Sequence, residues 1–590
     1  MKSWKIMKAL GLLGALLIAL GLISCGLLEP KESTPEPNQP PDTFITSGPR
    51  ESSQYSYFVR IAWKGEDADG FVTGYNLVVD GTEVFVTKTD STFHFSAPNQ
   101  DTQHTISVAA VDNKDAVDPT PATLTFTAIN VPPNTSLEIT GNPAPGATFG
   151  RGGIFTVIAT DDPDNGNEFS FRYKIDDGAW SDWFASNEGK FDFEFSIFSQ
   201  FGLLPEGQHT FFAQVRDRAL AVDETPAEFP FFVSTEVKPV VELESLFNGE
   251  SFFEDSSAFS FPSGNTVSLT WSPIFDYAGA ASSGSRYRVD GGEWTEYSTE
   301  VSSLELTNVT PGSHTFEVQY RDLGGVESDV KLFSYEIVAP TFAEGILVVD
   351  DGDGIFAGRP PATGDENVDN FYTEVLNAVG AQFTLWDIKI QGNPTPGRGI
   401  GRYSTIIWES DEAFLGVLPQ QTKLVSDYLS LGGNIWIAGW KPIQQIGGAT
   451  PVSNFDPSLP NQPTTFSFIW NFLKIASTRQ TPGAPADFIG ATGLAGHPDL
   501  NVDAAKNPIP IFENRLTPID VFTIRGDVPE AESIYTFVSS SGTDFQGEVT
   551  GMKYLGNDFK VVVFGFPFYH MKIDEAIEAA RKILTDFNEI

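Results

Sequence analysis

His209-Thr210-Phe211-Phe212-Ala213-Gln214-Val215-Arg216-Asp217 is the stretch that decides most of the fold. Phe211, Ala213 and Val215 alternate with Thr210, Gln214 and Arg216, the period of a half-buried β-strand. The pattern recurs 105 residues earlier as His104-Thr105-Ile106-Ser107-Val108-Ala109-Ala110-Val111-Asp112. It recurs 105 residues later as His314-Thr315-Phe316-Glu317-Val318-Gln319-Tyr320-Arg321-Asp322. Each copy ends on an aspartate at the same step, where the strand should turn. The first two continue into Ala-Val-Asp-x-Thr-Pro-Ala at residues 116–122 and 221–227. Upstream, a hairpin repeats as Tyr75-Asn76-Leu77-Val78-Val79-Asp80-Gly81, Tyr173-Lys174-Ile175-Asp176-Asp177-Gly178 and Tyr287-Arg288-Val289-Asp290-Gly291-Gly292. Alternation ending in Asp-Gly marks a tight hairpin, because the turn needs positive φ. Trp180 and Trp294 follow on the return strand of the second and third copies.

Short strands with regular turns predict three β-sandwiches, over residues 42–131, 132–236 and 237–340. They resemble the immunoglobulin-like and fibronectin type III modules of bacterial surface proteins, a resemblance that speaks to fold and not to function. The three histidines lie in separate modules, so they do not converge on one metal. Each is expected to make a structural hydrogen bond closing the preceding turn. Two acidic turns, Gly65-Glu66-Asp67-Ala68-Asp69-Gly70 and Asp161-Asp162-Pro163-Asp164-Asn165-Gly166-Asn167, offer clustered oxygen ligands of the kind that hold Ca2+. The same residues also make tight turns, and neither loop has EF-hand spacing.

Cys25 is the only cysteine in 590 residues. It closes Leu22-Ile23-Ser24-Cys25, after Lys2, Lys5, Lys8 and an apolar run from Ala9 to Ile23. A basic start, a short apolar run and small residues at the cut site form a secretion signal. The run falls short of the ~20 residues that span a bilayer comfortably. The ending resembles the lipobox of bacterial lipoproteins. That resemblance implies a signal peptide over residues 1–24 and a lipidated Cys25, carrying palmitate and related acyl chains, as the only membrane anchor. Several chains on one residue hold stably where a single chain does not. Gly26 in place of aspartate resembles the pattern sorted to the outer membrane, so the expected location is the bacterial cell envelope, at the outer membrane or cell surface. Residues 25–41 are rich in proline and charge and form a tether reaching roughly 50 Å when extended. A lone cysteine also leaves no internal disulfide and no cysteine metal site.

The formal net charge is −42. Residues 1–24 carry three lysines and no acids, so their removal leaves −45. Such a surface repels polyanions and excludes nucleic acid as a partner.

From about residue 342 the pattern changes. Gly345-Ile346-Leu347-Val348-Val349-Asp350-Asp351 is a continuous apolar run, as for a strand covered on both faces. Helical stretches near 367–379, 420–431 and 574–587 alternate with strands near 383–387, 405–408, 434–439 and 560–566. The expectation over residues 341–590 is an α/β domain with a mainly parallel sheet. The whole chain is thus multidomain, three all-β sandwiches followed by one α/β domain.

The segment resembles the class I glutamine amidotransferase-like fold, a flavodoxin-like relative. The first strand ending in Asp-Asp carries the likeness, with Tyr403-Ser404-Thr405-Ile406-Ile407-Trp408, Gly432-Gly433-Asn434-Ile435-Trp436-Ile437-Ala438-Gly439 and Val561-Val562-Val563-Phe564-Gly565-Phe566-Pro567-Phe568. Active members of that family use an elbow cysteine with a histidine and a glutamate. Here the elbow offers Ala438, Gly439 and Trp440, His570 is displaced by one position, and Lys572 follows Met571 where the glutamate is wanted. The resemblance therefore implies a degenerate member without the cysteine nucleophile.

The reading that follows is a lipid-anchored envelope protein. It binds or presents a ligand or partner, without catalysis, through the α/β domain on a β-sandwich stalk. Trp440, Tyr569 and His570 are the candidate binding residues, with an envelope protein, a peptide or a glycan as partner. Two alternatives stand beside it. One is a metal-assisted hydrolase using the Asp350/Asp351/Asp353 loop and His570, with Glu409 and Asp411 nearby and Ca2+ or another divalent cation bound. The other is a purely structural envelope component. Gly496-His497-Pro498-Asp499 reads as a turn.

Overall fold

The computed structural model describes residues 36–95, 102–161, 168–351, 364–411, 416–448, 451–482, 485–507 and 513–590. Cys25, Asp353 and most of the second acidic turn lie outside the described residues. The chain divides into two compact units, residues 1–195 with 199–235, and residues 196–198 with 236–590. No helix among the described residues is long and apolar enough to cross a membrane.

The first unit holds two β-sandwiches. In the first, a three-stranded sheet runs in the order Asp42–Ser47, Phe58–Glu66, Asp90–His94. It faces a five-stranded sheet ordered Gln54–Ser56, Ala122–Ile129, Thr102–Asp112, Val72–Val79, Thr82–Val86. Alternation builds the core directly. Phe58–Glu66 buries Val59, Ile61 and Trp63 against Ile106, Val108 and Phe126, while Arg60 and Lys64 stay exposed. The second sandwich repeats the three-plus-five arrangement between residues 134 and 233. Its interior is a phenylalanine stack in which Phe149, Phe155, Phe193, Phe195, Phe211 and Phe231 are almost fully buried.

The repeated sequence marks turn out to be repeated clamps. His104 Nδ1 meets Asp80 Oδ2 at 2.6 Å, His209 meets Asp176 at 2.8 Å, and His314 meets Asp290 at 2.8 Å. In each module the other carboxylate oxygen accepts the amide of the following threonine. One aspartate thus ties its hairpin turn to the start of the next strand. It takes positive φ to do so, 49° at Asp80 and 51° at Asp176 and Asp290. The strand-ending aspartates accept turn amides as well, from Ala116 to Asp112, Ala221 to Asp217 and Val326 to Asp322. In the Ala-Val-Asp-x-Thr-Pro segments, Asp118 and Asp223 accept from Thr120 and Thr225.

The third clamp is expected to depend on pH. Burial disfavours a charged His314, but the Thr310 carbonyl and Asp290 outweigh it and raise the pKa. A raised histidine pKa means stability that is complete on the acid side and fades as pH rises through the folded-state value. An NMR titration of His314 should place its midpoint above that of an unstructured histidine, and Asp290→Asn should bring it down. A midpoint unmoved by the substitution would contradict the clamp.

The second unit joins a third sandwich to the α/β domain. Its four-stranded sheets are ordered Glu250–Ser251, Val240–Phe247, Thr266–Ile274, Ser303–Thr307 and Ser256–Phe259, Lys331–Val338, Gly312–Asp322, Ser282–Val289. The two bodies share a core. Phe259 of the sandwich is buried with Leu347, Ile406 and Tyr403 of the α/β domain, and Gly397 donates its amide to Ser257 Oγ at 3.2 Å.

The α/β sheet has nine strands among the described residues, and it is mixed. Phe383–Asp387, Ile346–Asp350, Thr405–Ser410, Asn434–Gly439 and Lys560–Phe564 pair in parallel. Val549–Leu555, Ala531–Ser539, Phe488–Gly493 and Leu500–Asn501 continue the sheet antiparallel. The expectation of a mainly parallel sheet is corrected on this point. The parallel half is visible in the sequence because strands covered on both faces are unbroken apolar runs. The antiparallel half is built from strands broken by glycine and polar residues, and the last parallel strand enters by a hairpin rather than by a crossover helix. The parallel strands follow the doubly wound order 2-1-3-4-5. Helices Asp365–Val379 and Ile573–Phe587 cover one face, and helices Leu418–Ser430, Pro442–Gly447 and Thr464–Asn471 pack with the other.

Candidate functional site

In a doubly wound sheet the crevice forms at the carboxyl ends of the strands, where the strand order reverses. Here that point lies between Ile346–Asp350 and Thr405–Ser410, and it gathers the acidic residues that the sequence singled out.

Asp351 is buried and fully engaged. It accepts the Trp408 indole N–H at 2.8 Å and the amides of Val417 at 2.7 Å and Leu418 at 3.0 Å. Those amides open the helix Leu418–Ser430, so the carboxylate caps it from the neighbouring strand. Burial raises its pKa against these bonds. Asp350 and Glu409 are buried beside it, and Glu409 Oε2 accepts the Asp411 amide at 3.0 Å.

Asp411 has no exposed surface. Its carboxylate accepts from Tyr569 N at 2.7 Å, Phe568 N at 3.2 Å and the Tyr372 hydroxyl at 3.0 Å. Desolvation pushes its pKa upward. The Trp440 indole donates to the Asp411 carbonyl at 2.7 Å. Asp520, also fully buried, does the same for the neighbouring helix Pro442–Gly447, accepting Ile443 N at 2.8 Å and Gln444 N at 3.0 Å. Burial lifts its pKa to about 7.

The three candidate binding residues do come together. The Trp440 and His570 rings are 5.2 Å apart and the Tyr569 and His570 rings 5.0 Å apart. They form a closed cluster rather than an open pocket wall, with 4%, 6% and 0% of Trp440, Tyr569 and His570 exposed. Lys506 backs the cluster, donating to the carbonyls of Tyr569 at 3.0 Å and Met571 at 2.8 Å. Burial, with that ammonium near, holds the His570 pKa at about 3, so its ring is neutral. Burial lowers Lys506 to about 8. Both ring nitrogens of His570 lack a hydrogen-bond partner among the described residues.

Among the described residues no three His, Cys, Asp or Glu side chains assemble into a metal-binding group. In the first acidic turn the Asp69 carboxylate takes the Lys114 ammonium at 3.0 Å and the Gln39 amide at 3.1 Å, so a cation of the chain's own occupies it. Gly496-His497-Pro498-Asp499 forms the turn between two sheet strands, with Gly496 at φ 81° and the Gly493 amide donated to Asp499 at 2.8 Å.

The elbow lies one or two residues beyond the position expected from the sequence. The strand Asn434–Gly439 ends on a glycine whose φ is 151°, where a Cβ would lie 2.3 Å from Ser410 Oγ. The strained residue of the turn is Lys441, at φ 47° and ψ 49°, immediately before Pro442–Gly447. A non-glycine residue held in this region carries local backbone strain, here on a strand-to-helix turn. Its side chain here is an amine. Lys441, Asp520, Tyr372 and Lys506 escape sequence reasoning because none carries a recognisable motif of its own. The Gly-Trp-Lys-Pro order at the end of a strand is the one available signal.

No protein-family model matches the chain, and no curated protein matches it. Among solved structures it is similar to the fibronectin(III)-like modules of Clostridium thermocellum CbhA, at 14% identity over 33% of this chain and 97% of that one, with a TM-score of 0.15. It is similar to the FN1–FN3 domains of chicken CNTN1, at 12% identity over 50% and 99%, TM-score 0.20. A central fibronectin-III array of RIM-binding protein gives 16% identity over 50% and 97%, TM-score 0.16. The class is a multidomain β-sandwich repeat protein, as the paired sheets described above establish by themselves. In this chain the repeat is joined to a mixed α/β sheet.

Proposed function

We propose that the chain is a lipid-anchored envelope protein that binds or presents a partner without catalysis. Its α/β domain is a degenerate relative of the amidotransferase-like fold. The strand order 2-1-3-4-5 and the elbow at Gly439-Trp440-Lys441 support the relationship. One observation carries the reading of function. Asp351 and Asp411, which end or follow parallel strands, and Asp520, which begins a strand of a separate two-stranded sheet, each accept backbone amides of a segment distant in the chain and hold it in place. Catalytic carboxylates must face a substrate, whereas these face the framework. With a lysine on the elbow, the residues that would supply chemistry in a relative here fix the shape of the edge. Binding then falls to the outer surfaces of the domains.

The anchor has its own test. Intact-mass measurement of the purified native chain should give a mature N-terminus at Cys25 with acyl chains attached. Cys25→Ala should move the protein from the membrane fraction to the soluble fraction almost completely, since no second anchor is proposed. Retention of the variant on membranes would overturn the anchoring. For partner binding, a photo-crosslinking residue at Ile390, which is 80% exposed on the α/β domain, should give discrete adducts in intact envelopes. A smear no different from that of a crosslinker placed on the first sandwich would count against binding through this domain.

A further inference from the structure

We propose that the third sandwich receives an extended, basic peptide segment of a partner, which adds as a strand to the open edge of Val240–Phe247. This goes beyond a reading of binding through the α/β domain, because the surface lies on a different body.

Val240–Phe247 pairs with Thr266–Ile274 along its whole length on one side. On the other side only Leu246 and Phe247 pair, with Ser251 and Glu250. Beyond them the Ser245 carbonyl accepts the Phe252 amide at 2.9 Å, and the chain then leaves for the opposite sheet at Ser256–Phe259. Alternate residues of an antiparallel strand direct both backbone groups to the same side. Leu243 therefore turns its N–H and C=O outward, as Ser245 does, and they have no backbone partner there among the described residues. An unpaired edge of this kind is a template for one more strand.

The edge opens onto a cleft of about 630 Å3. Trp271 and Phe333 line it from the core at 2% and 3% exposure, and Ser245, Ser251, Thr270 and Ser272 add hydroxyls beside them. Its rim is acidic. Glu242 and Glu244 are two positions apart on one face of the strand, and Glu254 lines the same cleft. Lys331 is the single cation in the lining, and it is paired to Glu254 at 3.5 Å. Phe253 stands in the same lining with 71% of its surface exposed, a ring face available to an ammonium or guanidinium. Cross-strand neighbours on one face sit opposite each other. Two glutamates at alternate positions therefore select lysine or arginine at alternate positions of the incoming strand. The charge of the rim selects against a second copy of this strongly acidic chain.

The probe is a fluorescently labelled, acetylated (Lys-Val)3 peptide titrated into the purified full chain and followed by anisotropy. Saturable binding is expected, weakening at least tenfold between about 50 mM and about 500 mM salt. A peptide of identical charge with alternate backbone nitrogens methylated should bind at least tenfold more weakly, because it cannot complete the ladder. Glu242→Lys with Glu244→Lys should cause a similar loss and restore binding of (Glu-Val)3. Leu243→Pro, which removes the outward N–H, should weaken the lysine peptide while circular dichroism stays unchanged. Equal binding of the methylated peptide would mean adsorption to a generally acidic surface and would overturn the proposal, as would no saturable binding at all. If Leu243→Pro unfolds the module, the methylated peptide and the charge-reversal pair still decide the matter.

Discussion

Asp411→Ala is expected to remove about 2–4 kcal/mol from the stability of the α/β domain. The carboxylate is wholly buried and satisfies three donors at once, two consecutive amides after the last parallel strand and the hydroxyl of Tyr372. Tyr372 belongs to the helix Asp365–Val379, so one side chain ties that helix to the segment carrying Phe568, Tyr569 and His570. Alanine removes the acceptor these three donors share, and each lost bond to a buried group costs about 1–3 kcal/mol. The chain has several bodies and will not unfold in one step. The loss should therefore appear as an early transition reported by Trp408, Trp436 and Trp440, with the first two sandwiches unaffected. Tyr372→Phe removes one bond of the three and should cost about 1 kcal/mol. A denaturation curve for Asp411→Ala that overlays the wild type would mean the carboxylate has some other task.

Asp520→Asn should act in the opposite direction, with a gain that grows from about pH 4 to about pH 7 and then holds. Folding raises the Asp520 pKa from its ordinary value to about 7 by burial. A carboxyl raised in the folded state is fully tolerated below its unfolded pKa. Stability is lost as pH climbs from the unfolded to the folded value, because the unfolded chain ionises there while the buried native carboxyl keeps its proton, and the loss levels off above about 7. One oxygen of Asp520 accepts the Ile443 and Gln444 amides, and the other has no partner among the described residues. Asparagine keeps the acceptor and removes the charge. Every tenfold change in an ionisation constant corresponds to about 1.4 kcal/mol, so at pH 8 the variant should gain roughly 2–4 kcal/mol, less what the new amide nitrogen loses by burial. The gain should shrink toward zero near pH 4. Urea titrations at both values give the difference directly. A gain that does not change with pH would show that the carboxyl is not the group that titrates.

The residues behind these two predictions are unequally legible in the sequence. The sandwiches can be read because alternation, Asp-Gly turns and a fixed spacing of histidine and aspartate all point the same way. The expected bond to the preceding turn is made to the carbonyls of Pro205 and Thr310, but the clamp to the hairpin aspartate spans 24, 33 and 24 residues and has no fixed spacing to read. The parallel strands can be read from runs such as Ile346-Leu347-Val348-Val349. The aspartates at the sheet's edge can be found but not interpreted. Nothing local distinguishes a carboxylate that faces a ligand from one that caps Leu418–Ser430 from another strand. That distinction lies in long-range geometry, 66 residues apart for Asp351 and Val417 and 158 for Asp411 and Tyr569. Lys441 escapes notice for the opposite reason. Its strain comes from the turn it occupies, and a lysine carries no sequence mark of positive φ.

The surfaces left for recognition are then the exterior ones. The edge of Val240–Phe247 is open and acidic, while Trp440, Tyr569 and His570 are packed away.

The central claim is that the strand ends of the α/β domain serve architecture and not turnover. It is tested most directly by crosslinking in intact envelopes with the wild-type chain and with Lys441→Ala combined with His570→Gln, once circular dichroism shows that the double variant is folded. The account expects the same adducts in the same amounts from both. Adducts that are scarce with the wild type and abundant with the double variant, as when an unconverted substrate stays bound, would contradict it.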